Sequence, residues 1–365
     1  MRLRAPRVAL LVTSVTGAVV ATAFAVMSAT GSTSTASPVA AKAAATDPSA
    51  AAVTNTVTQS AAQVQAYWTA SRLRSARDLT NTEVTSARTA TTTALRSVEA
   101  SGETLVGDPT TPTGPVTTAA DSAAARKAFP KNPKAKIWTK HGTAPARTIG
   151  KLFFTKKSGG NFSCSATVIT AKNKSTVWTA GHCVYDGGKT NATHQNFLFR
   201  PDYVDGKSRG SWTVHWVSTT QGWIKNADSA YDIGALVTNK LGGKTLQSVT
   251  GSQGYKFNQS RNWNVYDFGY PGDLLPSGTK ISSNKLRYCS GPTVRASYGT
   301  GKPIGYALHC TMGHGASGGP WLAEISKGLG RIVGINSTHS LKNDYMFSPF
   351  LGTAAINVYN YAAAH

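Results

Sequence analysis

From about Arg126 onward the chain is written in short runs of β-branched and aromatic residues, broken every few positions by Gly, Asn, Asp or Ser. That pattern makes antiparallel strands and turns and leaves little room for long helices. The expected strands are Ile149 to Thr155, Ser163 to Thr170, Ser175 to Ala180, Trp212 to Ser218, Ile233 to Val237, Trp263 to Tyr270, Ile304 to Cys310 and Arg331 to Ser337. Together they suffice for two small barrels, so residues 126–365 are read as one all-β domain. Ala354, Ala355, Val358 and Tyr361 recur at helical spacing, which predicts a helix from about Leu351 to Ala364.

The preceding part has a different composition. Arg2, Arg4 and Arg7 lead into an uncharged run from Val8 to Ala29, the layout of an export signal. Small-residue cleavage patterns occur at Ala23-Phe24-Ala25 and Ala41-Lys42-Ala43, and residues 1–45 are assigned to this signal region. Residues 46–125 are rich in Ala, Thr and Ser and too poor in apolar mass for a core of their own, which fits a pro-segment. Within it Val64, Tyr67, Trp68 and Leu73 predict one or two helices, and the Gly- and Pro-rich stretch from Ser101 to Pro115 predicts a linker. No second apolar run is long enough to span a bilayer, so no stable membrane span is expected once the signal is removed.

Four cysteines, Cys164, Cys183, Cys289 and Cys310, form an even set in a chain that carries an export signal. Disulfides are therefore expected over thiols or a metal site, and pairing sequence neighbours gives Cys164 with Cys183 and Cys289 with Cys310. No Cys-x-x-Cys pair or close His spacing suggests a metal, and no cofactor is expected. The net charge of +22 lies in the C-terminal part, since of 38 basic and 16 acidic residues only 9 and 7 precede residue 126. This excess serves solubility, with an acidic wall polymer as a conceivable partner. The basic residues are scattered through turns without interleaved aromatics, which argues against nucleic acid.

Three segments carry chemistry. Gly313-His314-Gly315-Ala316-Ser317-Gly318-Gly319-Pro320 places a serine in a sharply bendable turn, where Gly315 and Ser317 could aim two N-H groups at one point. A serine hydroxyl needs a base, and Thr179-Ala180-Gly181-His182-Cys183 offers an imidazole at the end of an apolar strand, fixed by a cysteine. The imidazole in turn needs a buried acceptor. Of the nine acids after residue 125 most sit in turns, whereas Asp232 stands at the mouth of the apolar run Ile233 to Val237; Asp267 is its rival.

TAGHC, YDIGALV and GASGGP, in that order, resemble the chymotrypsin-like serine peptidases over about residues 148 to 360. The layout is similar to secreted actinobacterial members. The resemblance implies two six-stranded antiparallel barrels, a secreted zymogen acting on polypeptides as a monomer, and an acyl-enzyme mechanism. It assigns His182 as general base, Asp232 as its orienting acid, Ser317 as nucleophile and the N-H groups of Gly315 and Ser317 as oxyanion hole. Thr311, Ser337 and His339 would line the specificity pocket. Ala316 departs from the trypsin-like pattern, which has Asp before the nucleophile, and Thr311 stands where trypsin-like members carry a pocket Asp. Cleavage after Lys or Arg thus loses its usual basis. The rival from another class is a non-catalytic wall-binding scaffold on the same fold.

Overall fold

The computed structural model describes residues 47–79, 88–89, 102–112, 114–115, 129–188, 192–259, 262–297, 304–340 and 343–365. The signal region lies outside these residues. The first lobe is a closed barrel of six antiparallel strands: β1 (Ile149–Thr155), β2 (Asn161–Val168), β3 (Thr176–Thr179), β4 (Gln195–Pro201), β5 (Trp212–Thr220) and β6 (Gly234–Thr238). They follow the order β5-β4-β1-β2-β3-β6, and β6 pairs back onto β5 to close the ring. Closure pairs the barrel strands with one another, and every residue of β1, β3 and β6 is buried. Trp178, Trp212 and Phe199 on its strands are fully buried, each contributing about 2–3 kcal/mol of apolar burial, and Trp178 stacks on Phe257 with centroids 5.2 Å apart.

The second lobe comprises β7 (Gly254–Phe257), β8 (Asn264–Gly269), β9 (Arg287–Pro292), β10 (Val294–Ser297), β11 (Ile304–His309), β12 (Pro320–Ser326), β13 (Leu329–Ile335), β14 (Thr338–Ser340) and β15 (Tyr345–Ser348). These strands are divided between two sheets. One runs β7-β13-β12-β8-β9, with β7 and β13 parallel, and the other runs β14-β15-β11-β10. The Cys289–Cys310 disulfide ties β9 of the first to the end of β11 in the second, with a Cα separation of 5.6 Å. The fold is therefore the all-β, chymotrypsin-type architecture expected, and both disulfides pair as read from the sequence.

Strands with dense β-branched composition were legible to within a few residues. The expected set has no counterpart of β4, β7, β9, β10, β12, β14 or β15; at β4, Asn196 takes a left-handed φ of 53° and the register slips between Gln195 and Leu198, which breaks the period-two pattern. The C-terminal helix spans Thr353–Ala364. Ala354, Ala355 and Val358 are buried as the spacing required, but Tyr361 is exposed and Tyr359 and Ala362 complete the buried stripe. Tyr359 reaches into the domain, accepting from Tyr255 at 2.9 Å and donating to the carbonyl of Thr170 at 2.9 Å.

The N-terminal residues pack on this scaffold. Ala52–Thr56 adds antiparallel to β5, and Ala61–Tyr67 and Ala70–Ser75 are helices, the first closed by a capping box between Ser60 and Gln63. Trp68 lies 5.6 Å from Phe153 and donates to the carbonyl of Asn196 at 2.6 Å. Within the stretch read as a linker, Leu105–Gly107 pairs antiparallel with β7. No helix among the described residues is long and apolar enough to cross a membrane.

Candidate active site

β3 delivers His182. The strand ends at Thr179, a short helical turn Gly181–Cys183 follows, and the Cys164–Cys183 bond fastens that turn to β2. A Cβ on Gly181 would fall 2.8 Å from Thr219 Oγ1 and 3.0 Å from Asp232 Oδ1, so only glycine lets the turn approach its acid. Asp232 leads into β6 and is fully buried. Its Oδ1 accepts the backbone N-H of His182 at 2.7 Å, and its Oδ2 accepts His182 Nδ1 at 2.8 Å and the hydroxyl of Ser337 at 2.6 Å. Nδ1 thereby carries the proton, and His182 Nε2 is left buried and unpaired with its lone pair available.

Ser317 comes from the other lobe, in the turn before β12. Gly315 and Gly318 there take φ values of +89° and +78°, left-handed conformations that glycine adopts without strain. The turn is pressed against the His182 side of the barrel. Ser165 on β2 accepts nothing from it but gives both its N-H to Ser317 O at 2.7 Å and its hydroxyl to Gly315 O at 2.9 Å. A Cβ on Gly318 would collide with Thr179 Oγ1 at 1.9 Å and lie 3.0 Å from Ala180 N.

What holds this turn was not read from the sequence. Asn336, fully buried, exchanges backbone hydrogen bonds with it, accepting from Gly318 N-H at 2.7 Å and donating to Gly319 O at 2.9 Å. Its side-chain amide donates to Asp267 Oδ1 at 2.7 Å and reaches Ala316 O at 3.2 Å, while its Oδ1 accepts Trp321 Nε1 at 2.8 Å. Asp267, the rival acid, belongs to this cluster and not to His182. Burial pushes its carboxyl well above the usual carboxylate range despite the Asn336 hydrogen bond. A second supporter is His194, stacked on Phe154 with centroids 4.5 Å apart, whose Nε2 donates to the carbonyl of His182 at 3.0 Å. Burial pulls its imidazole down to about 4.

The expected pocket residues have separate surroundings. Thr311 Oγ1 accepts the Ala135 N-H at 2.8 Å, and Ser337 serves Asp232. His339 is buried with Nε2 unpaired, edge-on to His314 at 4.7 Å. Burial, reinforced by His314, pulls His339 to about 4. His314 is itself bonded to Asp273 through its backbone N-H at 2.7 Å and Nδ1 at 2.5 Å. Burial pushes the Asp273 carboxyl up, but His314 and Lys280 outweigh it and leave the carboxyl below its usual range.

A buried acid bonded to an imidazole, and a serine in a glycine-bent turn, contributed by two β lobes, are the kind of arrangement that activates a hydroxyl for attack on a carbonyl. Solved structures carry the same architecture. The protease Anisep from Arthrobacter nicotinovorans is 34% identical over 62% of this chain and 99% of its own, with a TM-score of 0.54. The thermostable serine protease AL20 from an extremophilic microorganism is 32% identical over 60% of this chain and 98% of its own, also at 0.54. A Glu endopeptidase, 21% identical over 65% of this chain and 98% of its own at 0.50, shares the fold. No protein-family model and no curated relative matches the chain. The chain belongs to the chymotrypsin-like serine peptidases. It is a serine-type endopeptidase, and its substrates are polypeptides.

Proposed function

We propose that the protein is exported and cleaves peptide bonds through an acyl-enzyme, with Ser317 as nucleophile, His182 as base and Asp232 as the acid that orients it. The observation that carries this is the double grip of Asp232 on the backbone N-H and Nδ1 of His182, which leaves Nε2 as the basic nitrogen. In this mechanism Nε2 takes the Ser317 proton as Oγ attacks the carbonyl carbon, and the oxyanion meets the N-H groups of Gly315 and Ser317. Collapse expels the amine, which takes the proton from His182. Water then repeats the sequence on the ester. The export signal and two disulfides support secretion, with residues 46–125 as pro-segment. His339 with the His314–Asp273 pair supplies the polar wall of the specificity pocket.

An active-serine phosphonate tests the assignment. Covalent adduct at Ser317, absent in Ser317→Ala along with all turnover, is the expected result; the substitution removes a single oxygen and keeps the backbone of the turn, so the variant should unfold within about 1 kcal/mol of the parent. A folded, processed chain that never labels would instead favour a wall-binding scaffold.

A further inference from the structure

Lys151 is an ammonium inside a barrel strand. It is 3% exposed, and its Nζ donates to Ser283 Oγ at 2.9 Å and lies 3.7 Å from Asp78 Oδ1. Its strand neighbour across the β1–β2 ladder is Ser165, the residue bonded to Gly315 and Ser317, so the cation stands one residue behind the nucleophile turn. Burial lowers the ammonium's pKa, and Asp78 is the group that opposes this.

Asp78 belongs to a segment far from the barrel in sequence. Arg77–Asp78 pairs in parallel with Phe162–Ser163 of β2, and Leu79 N-H donates to Ser163 O at 3.0 Å. The Asp78 carboxylate accepts from Ser163 Oγ at 3.1 Å and nests against glycines, since a Cβ on Gly272 or Gly315 would come within 2.0 or 2.9 Å of its oxygens. The next carbonyl, that of buried Leu79, accepts the N-H of Gly315 at 3.3 Å. An extended peptide therefore already lies on the donor assigned to the oxyanion, with an acidic side chain on Lys151.

We propose that Lys151, Ser163 and Gly315 form a peptide subsite beside Ser317 that takes an acidic side chain, and that residues 77–79 fill it in the intact chain as a built-in competitor. The proposal rests on Ser317 being the nucleophile. Once the segment leaves, Lys151 is a buried cation without its carboxylate, an unfavourable state that an acidic substrate residue relieves. The same Gly315 N-H cannot serve Leu79 and an oxyanion together, so the segment's departure also frees the catalytic donor.

The test compares the full chain with Asp78→Ala and Asp78→Asn. Removing one member of a buried charge pair should speed phosphonate labelling of Ser317 by about tenfold or more in both variants. In the Asp78→Ala chain, peptide substrates bearing Glu or Gln, scanned across the positions flanking the cut, should show a preference for Glu of about tenfold at one position. That preference should vanish when Lys151→Met is added and persist with Lys151→Arg. Equal labelling rates in all chains, or a Glu preference indifferent to Lys151→Met, overturns the subsite while leaving the nucleophile assignment standing. Failure of every chain to label overturns the nucleophile assignment and this proposal with it.

Discussion

At the scale of single residues, the site depends on groups kept neutral by burial. His194 and His339 both have folded pKa values of about 4 against about 6.5 for a free imidazole. Below pH 6.5 the unfolded chain therefore binds protons that the folded one refuses, and stability falls as pH drops from about 6.5 toward 4. The contribution is fully present above 6.5. For His194 the gap corresponds to at most about 3 kcal/mol. His194→Phe keeps the stacking volume on Phe154 and removes the titration, so its unfolding free energy should lose about 2–3 kcal/mol less than the parent's between pH 7 and 4. Parallel denaturation curves at both pH values for parent and variant would refute this account of His194. Asp267 is the carboxyl counterpart, its pKa raised by burial. Asp267→Asn keeps an oxygen acceptor for Asn336 and should cost under about 1 kcal/mol, whereas Asp267→Leu removes the shortest acceptor of the Asn336 amide and should cost about 1–3 kcal/mol.

At the scale of elements, the nucleophile turn is the part most dependent on its neighbours. Ala316 offers no carboxylate to a buried amine, and the continuous chain through Arg147, Thr148 and Ile149 runs directly into β1. The turn is shaped by the amide and backbone of Asn336. Asn336→Ala leaves Trp321 Nε1 and Asp267 without partners, which should lower stability by about 2–4 kcal/mol. It should also lower kcat by about tenfold or more with KM little changed, because the oxyanion donors lose their aim and the peptide cleft does not. Single-turnover acylation rates separate this from a purely structural loss. The Cys164–Cys183 bond acts likewise on the His182 turn. Replacing both by Ala opens a link across 19 residues and should lower stability by about 3 kcal/mol together with activity, as thermal melting and hydrolysis rates on one preparation would show.

For the molecule as a whole, charge decides which side chains the site admits. In a chain of net charge +22 the imidazoles of His314 and His339 stand at the expected pocket; of the carboxylates near it, Asp232 is committed to His182 and Ser337, and Asp273 to His314 and Lys280. The Asp273 carboxylate was not foreseen, yet its double hydrogen bond to His314 leaves little to offer a cation. Peptides with Lys or Arg before the cut should be cleaved about tenfold or more slowly, by kcat/KM, than those with small or acidic residues. A peptide library cut mainly after Arg would contradict this.

Three short motifs, two cysteine pairings and most barrel strands follow from sequence alone, because each is a local matter: glycine where a turn must bend, alternating apolar residues where a strand is buried, cysteines close along the chain. Long-range partnerships could not be read this way. Ser337 finds Asp232 across 105 positions and Asn336 finds Asp267 across 69, and nothing in either neighbourhood distinguishes those side chains from ordinary pocket or strand residues. Lys151 looks like a solvated strand position and Asp78 like a surface acid until the barrel closes and the N-terminal segment lies along β2. The sequence determines which groups have the chemistry. Tertiary structure decides which of them are buried together, and burial is what shifts a carboxyl's pKa upward, holds an imidazole in place and gives a cation need of a partner.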